Sequence, residues 1–88
     1  MLFRADPPAA LIAEPLDAFT AVFHRPSGAT HLLVSPAPEI LDILGRETLS
    51  LDGLLARLEA EYALADADPA VLAERVAELV GAGLVQAA

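Results

Sequence analysis

The 88-residue sequence predicts an α+β domain, and three observations carry that expectation. The chain changes character near Ser35, with β-type signals before it and helical ones after. The first part holds three short runs rich in apolar, aromatic and β-branched residues, separated by turn-forming residues. The second part holds three apolar stripes at helical spacing, each opened by a cap residue. At this length one domain is expected, and an apolar share of 56% is ample for a packed core.

Residues 1–8 contain Pro7-Pro8 and read as a loose N-terminal segment. Ala10-Leu11-Ile12-Ala13-Glu14 follows as the first strand, and Pro15-Leu16-Asp17-Ala18 as a turn. Phe19-Thr20-Ala21-Val22-Phe23-His24 fits a second strand. Arg25-Pro26-Ser27-Gly28-Ala29 has the proline and glycine of a tight connection, and Thr30-His31-Leu32-Leu33-Val34 reads as the third strand. The last two strands make a hairpin. No further β segment follows to cover the third strand, so it is expected at a sheet edge with free N–H and C=O groups.

Ser35 reads as the N-cap of the first helix, with Pro36 at its first position and Glu39 in its first turn. Ala37, Ile40, Leu41 and Leu44 form its stripe, and Gly45 is placed to end it. Ser50 caps the second helix, where Leu51, Leu54, Leu55, Leu58 and Tyr62 share one face. Asp68-Pro69 opens the third, with Val71, Leu72, Arg75, Val76, Leu79 and Val80 on one broad stripe. Gly83-Leu84-Val85 closes the domain as a short extended segment against the core. The expected architecture is therefore winged-helix-like: a three-stranded antiparallel sheet followed by three helices.

Charge narrows the function classes. The formal net charge is -8, and the five basic residues are Arg4, Arg25, Arg46, Arg57 and Arg75, scattered among carboxylates. A nucleic-acid duplex or an anionic membrane is repelled by such a surface, whereas a neutral or basic peptide is tolerated. A winged-helix nucleic-acid-binding or transcription-related domain is the alternative reading, but its recognition helix would carry Glu74 and Glu78 beside Arg75 alone. No cysteine is present, which removes disulfides and thiolate metal sites and agrees with a cytoplasmic location. The N-terminus lacks the basic-then-apolar pattern of a secretory signal, and no run approaches the ~20 apolar residues of a membrane span.

Candidate catalytic and metal chemistry is sparse. His24 and His31 flank the hairpin loop, but no third ligand stands at a motif spacing, so ordinary hairpin histidines are expected. Ser27-Gly28 near His31 lacks the elbow and the orienting acid of a nucleophilic site and reads as a turn. The pairs Glu74/Glu78 and Glu39/Asp42 fall opposite the apolar stripes and read as solvated faces. Gly81-Ala82-Gly83 lies at a helix end, the wrong context for a phosphate loop. A non-enzyme with neither a metal nor a cofactor is expected.

Ser27-Gly28-Ala29-Thr30-His31-Leu32-Leu33, followed by Ile40-Leu41-Asp42-Ile43-Leu44, resembles the PqqD-like peptide chaperones, also known as RiPP recognition elements. Within them it is most similar to the HPr-rel-A system subgroup, in which "SG-x-TH-x-L" precedes the first helix. Leu51-Asp52-Gly53-Leu54-Leu55-Ala56-Arg57-Leu58 resembles that family's second helix, and Leu79 through Val85 its closing "L-x-x-x-GLV" pattern. The likeness runs from about Leu11 to Val85, with one departure: Val34 stands where the family often has asparagine.

The resemblance implies a non-catalytic adaptor that binds the leader of a ribosomally made precursor peptide and presents it to a modifying enzyme. The peptide would add as a strand beside the third strand and enter a groove against the third helix. Carried over by position, the peptide-binding residues are Thr30, His31, Leu32, Leu33 and Val34 on the strand, with Leu72, Arg75, Val76 and Leu79 on the helix. Arg75 has two expected roles, pairing with an acidic leader side chain or with Glu78 on its own helix. The open edge also admits pairing with a second copy, a homodimer that would compete with the peptide.

Overall fold

A computed structural model describes residues 1–62 and 68–87 of the chain. The domain is α+β, with a three-stranded antiparallel sheet followed by three helices, as its residue pattern predicts. Strands β2 (Leu11–Leu16), β3 (Phe19–His24) and β4 (Ala29–Leu33) form a meander in that order, so β3 is central and β4 lies on an edge. Helices α1 (Ala37–Arg46), α2 (Leu51–Tyr62) and α3 (Pro69–Gly81) follow.

The turns follow backbone chemistry. Asp17, at φ 51°, occupies the left-handed region in the β2–β3 turn, a conformation aspartate tolerates better than most residues. Gly28 supplies φ 70° at the end of the β3–β4 loop. The β3–β4 register pairs Thr20 with Leu33, Val22 with His31 and His24 with Ala29. Residues opposite one another share a face, so Val22, His24 and Leu33 point inward while Ala21, Phe23 and Leu32 point out.

The core is mostly helical. Ile40, Ile43 and Leu44 of α1 meet Leu54 and Leu58 of α2 and Leu72, Val76 and Leu79 of α3 in one cluster that Val22 joins from the sheet. At its C-terminal end α3 stops in a Schellman motif: Leu84 N–H donates to the Leu79 carbonyl and Gly83 N–H to that of Val80. Gly83 takes φ 80° there, and Leu84 turns back into the core at 1% exposure.

Three local expectations are corrected. The N-terminal segment is not loose throughout. Phe3–Ala5 forms a strand, β1, that pairs antiparallel with a C-terminal strand, β5 (Val85–Ala87). Phe3 also exchanges backbone hydrogen bonds with Leu49 at 2.7 and 3.0 Å, and Phe3 and Ala5 are buried. Three residues carry too little pattern to announce a strand; partners more than forty positions away along the chain create it.

Ser35 is not the cap of α1. The cap position falls on Pro36 and makes no side-chain cap bond, while the Ser35 hydroxyl donates to the Glu39 carboxylate. Gly45 does not end the helix either. Arg46 continues it, donating back to the Asp42 carbonyl and carboxylate at 3.2 and 3.0 Å, and the backbone becomes extended only at Glu47. By contrast Ser50 accepts from Gly53 N–H at 3.1 Å and Asp68 from Ala70 N–H at 2.9 Å, the cap roles their positions predict.

An ionic web ties α1 to α2. Arg46 bridges Asp42 and Glu61, Arg57 bridges Glu61 and Glu47, and the Tyr62 hydroxyl donates to Asp42 at 2.6 Å. Hydrogen bonds from Arg46 and then Arg57 hold the Glu61 carboxyl below its ordinary range. The hydrogen bond to Asp42, followed by partial desolvation, pushes the Tyr62 phenol up to about 12.

The two shifts act at opposite ends of the pH scale. A depressed carboxyl stabilises the fold above its unfolded pKa and loses that contribution as pH falls. A raised phenol stabilises it below its unfolded pKa and loses that contribution as pH climbs from about 10 to about 12. Both groups are substantially solvated, so each effect is modest. Stability followed by denaturant unfolding should decline at both extremes, and Tyr62→Phe should remove the alkaline decline while leaving the acid one.

Candidate functional site

The site begins with what β4 lacks. Its inner edge is paired with β3, and among the described residues nothing pairs with its outer edge. The chain then passes through Val34 and Ser35 into α1, with the Ala37 N–H closing on the Val34 carbonyl at 2.9 Å. This junction sets the end of β4 beside the C-terminal half of α3, and a groove of about 450 Å³ lies between them. Ligand-binding clefts commonly span ~300–1,000 Å³.

The strand side of the groove is Leu32, Leu33 and Val34, with Ser35 and Ala37 at the turn into α1. The helix side is Arg75, Glu78, Leu79 and Ala82. Leu32 and Val34 are 66% and 49% exposed, a large solvent-facing apolar surface beside an unpaired strand. Arg75 donates to both carboxylate oxygens of Glu78 at 2.7 and 2.9 Å, so the one cation at the groove is already neutralised by its own helix. The intrahelical partner is therefore the one the structure holds.

Of the residues singled out from the sequence, Leu32, Leu33, Val34, Arg75 and Leu79 come together here. Leu72 and Val76 do not. They are 4% and 1% exposed and belong to the core cluster; Leu79, 3% exposed, is a core residue as well and forms the floor of the groove rather than an open wall. Thr30 lies exposed on the outer sheet face, and His31 lies half-buried opposite Val22 on the inner face; neither lines the groove. Sequence reasoning had Glu78 as a partner for Arg75, not as a groove residue, and missed Ala82. Ala82 follows the last turn of α3, and the i+3 and i+7 spacing from Arg75 was the signal that could have found both.

The two histidines take separate places. His24 is 7% exposed, its Nε2 donating to Asp6 at 2.6 Å and its Nδ1 2.7 Å from the Ser27 hydroxyl. Both ring nitrogens are thus engaged by protein groups, and the contacts fasten the segment after β1 to the β3–β4 loop. An Asp–His–Ser sequence of contacts invites comparison with a nucleophilic triad. The Ser27 oxygen, however, already accepts from Ala29 N–H at 3.3 Å, and the Gly28 N–H is spent on the His24 carbonyl. The two amides nearest the hydroxyl are therefore unavailable to a developing oxyanion. Among the described residues no cluster of three or more His, Asp or Glu is placed to hold a metal ion. None of the described helices is long and apolar enough to cross a membrane.

A second, smaller hollow of about 150 Å³ lies on the inner side of the sheet toward β2, between Leu11, Ala13 and Val22 and the first turns of α1. It has room for a single small apolar group. Its size and its position at the proline-bearing strand β2 make it a poorer seat for a chain than the β4 groove. No family model, curated protein or solved structure matches this chain.

Proposed function

We propose that this domain is a non-catalytic adaptor that captures an extended peptide along the outer edge of β4. The captured segment is the leader of a ribosomally made precursor, which the domain presents to a modifying enzyme. The leader identity rests on the resemblance described above. The observation that supports strand addition is the unpaired edge of β4 running directly into an apolar groove.

Strand addition supplies backbone hydrogen bonds of about 0.5–1.5 kcal/mol net each, independent of peptide sequence. Selectivity then has to come from side chains. A peptide strand alternates, so every second residue faces the groove, where Leu33 and Val34 offer apolar contact above the buried Leu79. The Arg75–Glu78 pair leaves the helix wall close to neutral, which favours apolar anchors over a single charged one.

A nucleic-acid surface finds no comparable support. The exposed part of α3 carries Glu74 and Glu78, and Arg75 is committed to Glu78.

Titrating the labelled domain with candidate leader peptides encoded beside its gene tests the reading. Amide resonances of Leu32 to Val34 and of Ala82 should shift together, while those of Ala56 and Ala60 on the far helix should not. Saturable binding that leaves Leu32 to Val34 unmoved would refute the site.

A further inference from the structure

The outer face of the sheet contradicts the usual rule for an uncovered face. An antiparallel sheet with one side in solvent alternates apolar inward with polar outward. Here the outward positions are Ile12, Leu16, Phe19, Ala21, Phe23 and Leu32, with Glu14 and Thr30 the only polar residues among them. Ile12, Leu16, Phe19 and Leu32 are 47%, 49%, 50% and 66% exposed. Among the described residues no helix crosses this face; the core lies against the other one.

We propose that a second copy of this chain covers the face, forming a two-fold symmetric β-sandwich dimer. Three features select a second copy. The first is area: the exposed apolar side chains offer on the order of 500 Å² per protomer, the scale of a functional patch on a monomer. Two such faces bury on the order of 1,000 Å², near the lower limit of a specific interface. The second is shape. Small Ala21 sits on the central strand between Phe19 and Phe23, with Leu32 beside it on β4 and Glu14 beside it on β2, so large side chains of one sheet can seat over the alanine of the other. The third is charge. Each copy carries -8, so two copies repel through any face rich in carboxylates. The outer sheet face brings only one carboxylate to the contact, Glu14 on edge strand β2, in register with Ala21. The packing is face to face, so it leaves both β4 backbone edges unpaired, unlike a dimer paired edge to edge, and of the groove's lining the face holds Leu32. It does not depend on what the groove binds.

Sedimentation equilibrium of the full chain, from low micromolar to sub-millimolar concentration, tests this directly. The mass should rise from that of one 9.2 kDa chain toward two, and added salt should favour the dimer by screening repulsion. Phe19→Lys should weaken the association at least about ten-fold by burying an unpaired charge. Glu14→Gln should tighten it. Both positions are solvent-facing, so circular dichroism should report an unchanged fold.

The chain has no cysteine, which makes Ala21→Cys a clean probe. Near the two-fold axis it should form an intermolecular disulfide faster than Ala60→Cys on α2. A monomer at every concentration overturns the proposal. So does a dimer indifferent to Phe19→Lys, which assigns the contact to the β4 edge or another surface.

Discussion

Ala82→Trp is expected to lower affinity for a captured peptide at least about thirty-fold, corresponding to ~2 kcal/mol, without unfolding the domain. Ala82 sits just past α3, exposed, with ordinary helical backbone angles of φ -81° and ψ -6° that any residue adopts. Its side chain lines the groove opposite Leu32 to Val34. An indole there would occupy the volume that peptide side chains need, and its ring would rest on Leu79 and Val34 rather than displace core atoms. Melting temperature should stay within a few degrees of the parent, since surface substitutions usually change stability by no more than ~0.5 kcal/mol. Isothermal titration of both proteins with the same peptide decides the matter. Unchanged affinity in the variant removes the groove from the site, whatever happens along the strand. A companion peptide N-methylated at alternate residues separates the contributions: methylation that removes bonding amides should weaken binding even to the parent domain.

Ile43→Ala should lower the melting temperature by more than ten degrees, whereas Val71→Ala should barely move it. Ile43, on α1, is 0% exposed and lies in the core cluster, and truncating such a residue typically costs ~2–5 kcal/mol in transfer and cavity terms. For a domain of this size each 1 kcal/mol is worth ~4–8 °C. Against a total stability on the order of 5–15 kcal/mol, that loss is a large share for one side chain. Val71 lies on the apolar stripe of α3 yet is 45% exposed, so its truncation removes little buried surface. Thermal melts followed by circular dichroism distinguish the two. A small effect at Ile43 would mean that the helical core is far looser than its packing indicates.

These contrasts show where local pattern stops being informative. The stripe on α1 is written from Ala37, Ile40, Leu41 and Leu44, yet Ile43 is as buried as any of them, because α1 is enclosed on more than one side. The stripe on α3 is broader than what the core uses: Leu72, Val76 and Leu79 are buried, while Val71 and Val80 face outward. Periodicity identifies the apolar side of a helix, but not how many neighbours that side will have. The same limit explains the site. Leu72 and Val76 share a stripe with Arg75, and nothing local tells a groove residue from a core residue beside it. Strand β1 lies beyond local pattern altogether, since Phe3 finds Leu49 and Ala87 only once the helices have brought them close.

The sequence by itself determined the order of the three sheet strands and the three helices, the positions of β3 and β4, two of the helix caps and the exposed edge. Each follows from alternation, turn chemistry or capping within a few residues. Tertiary structure decided the rest. It tied the N-terminus to the C-terminus, committed Arg75 to Glu78, divided the α3 stripe between core and groove, and left the outer sheet face bare. These outcomes depend on which surfaces meet across the fold, and burial of that kind is a property of distant partners that no short window of residues contains.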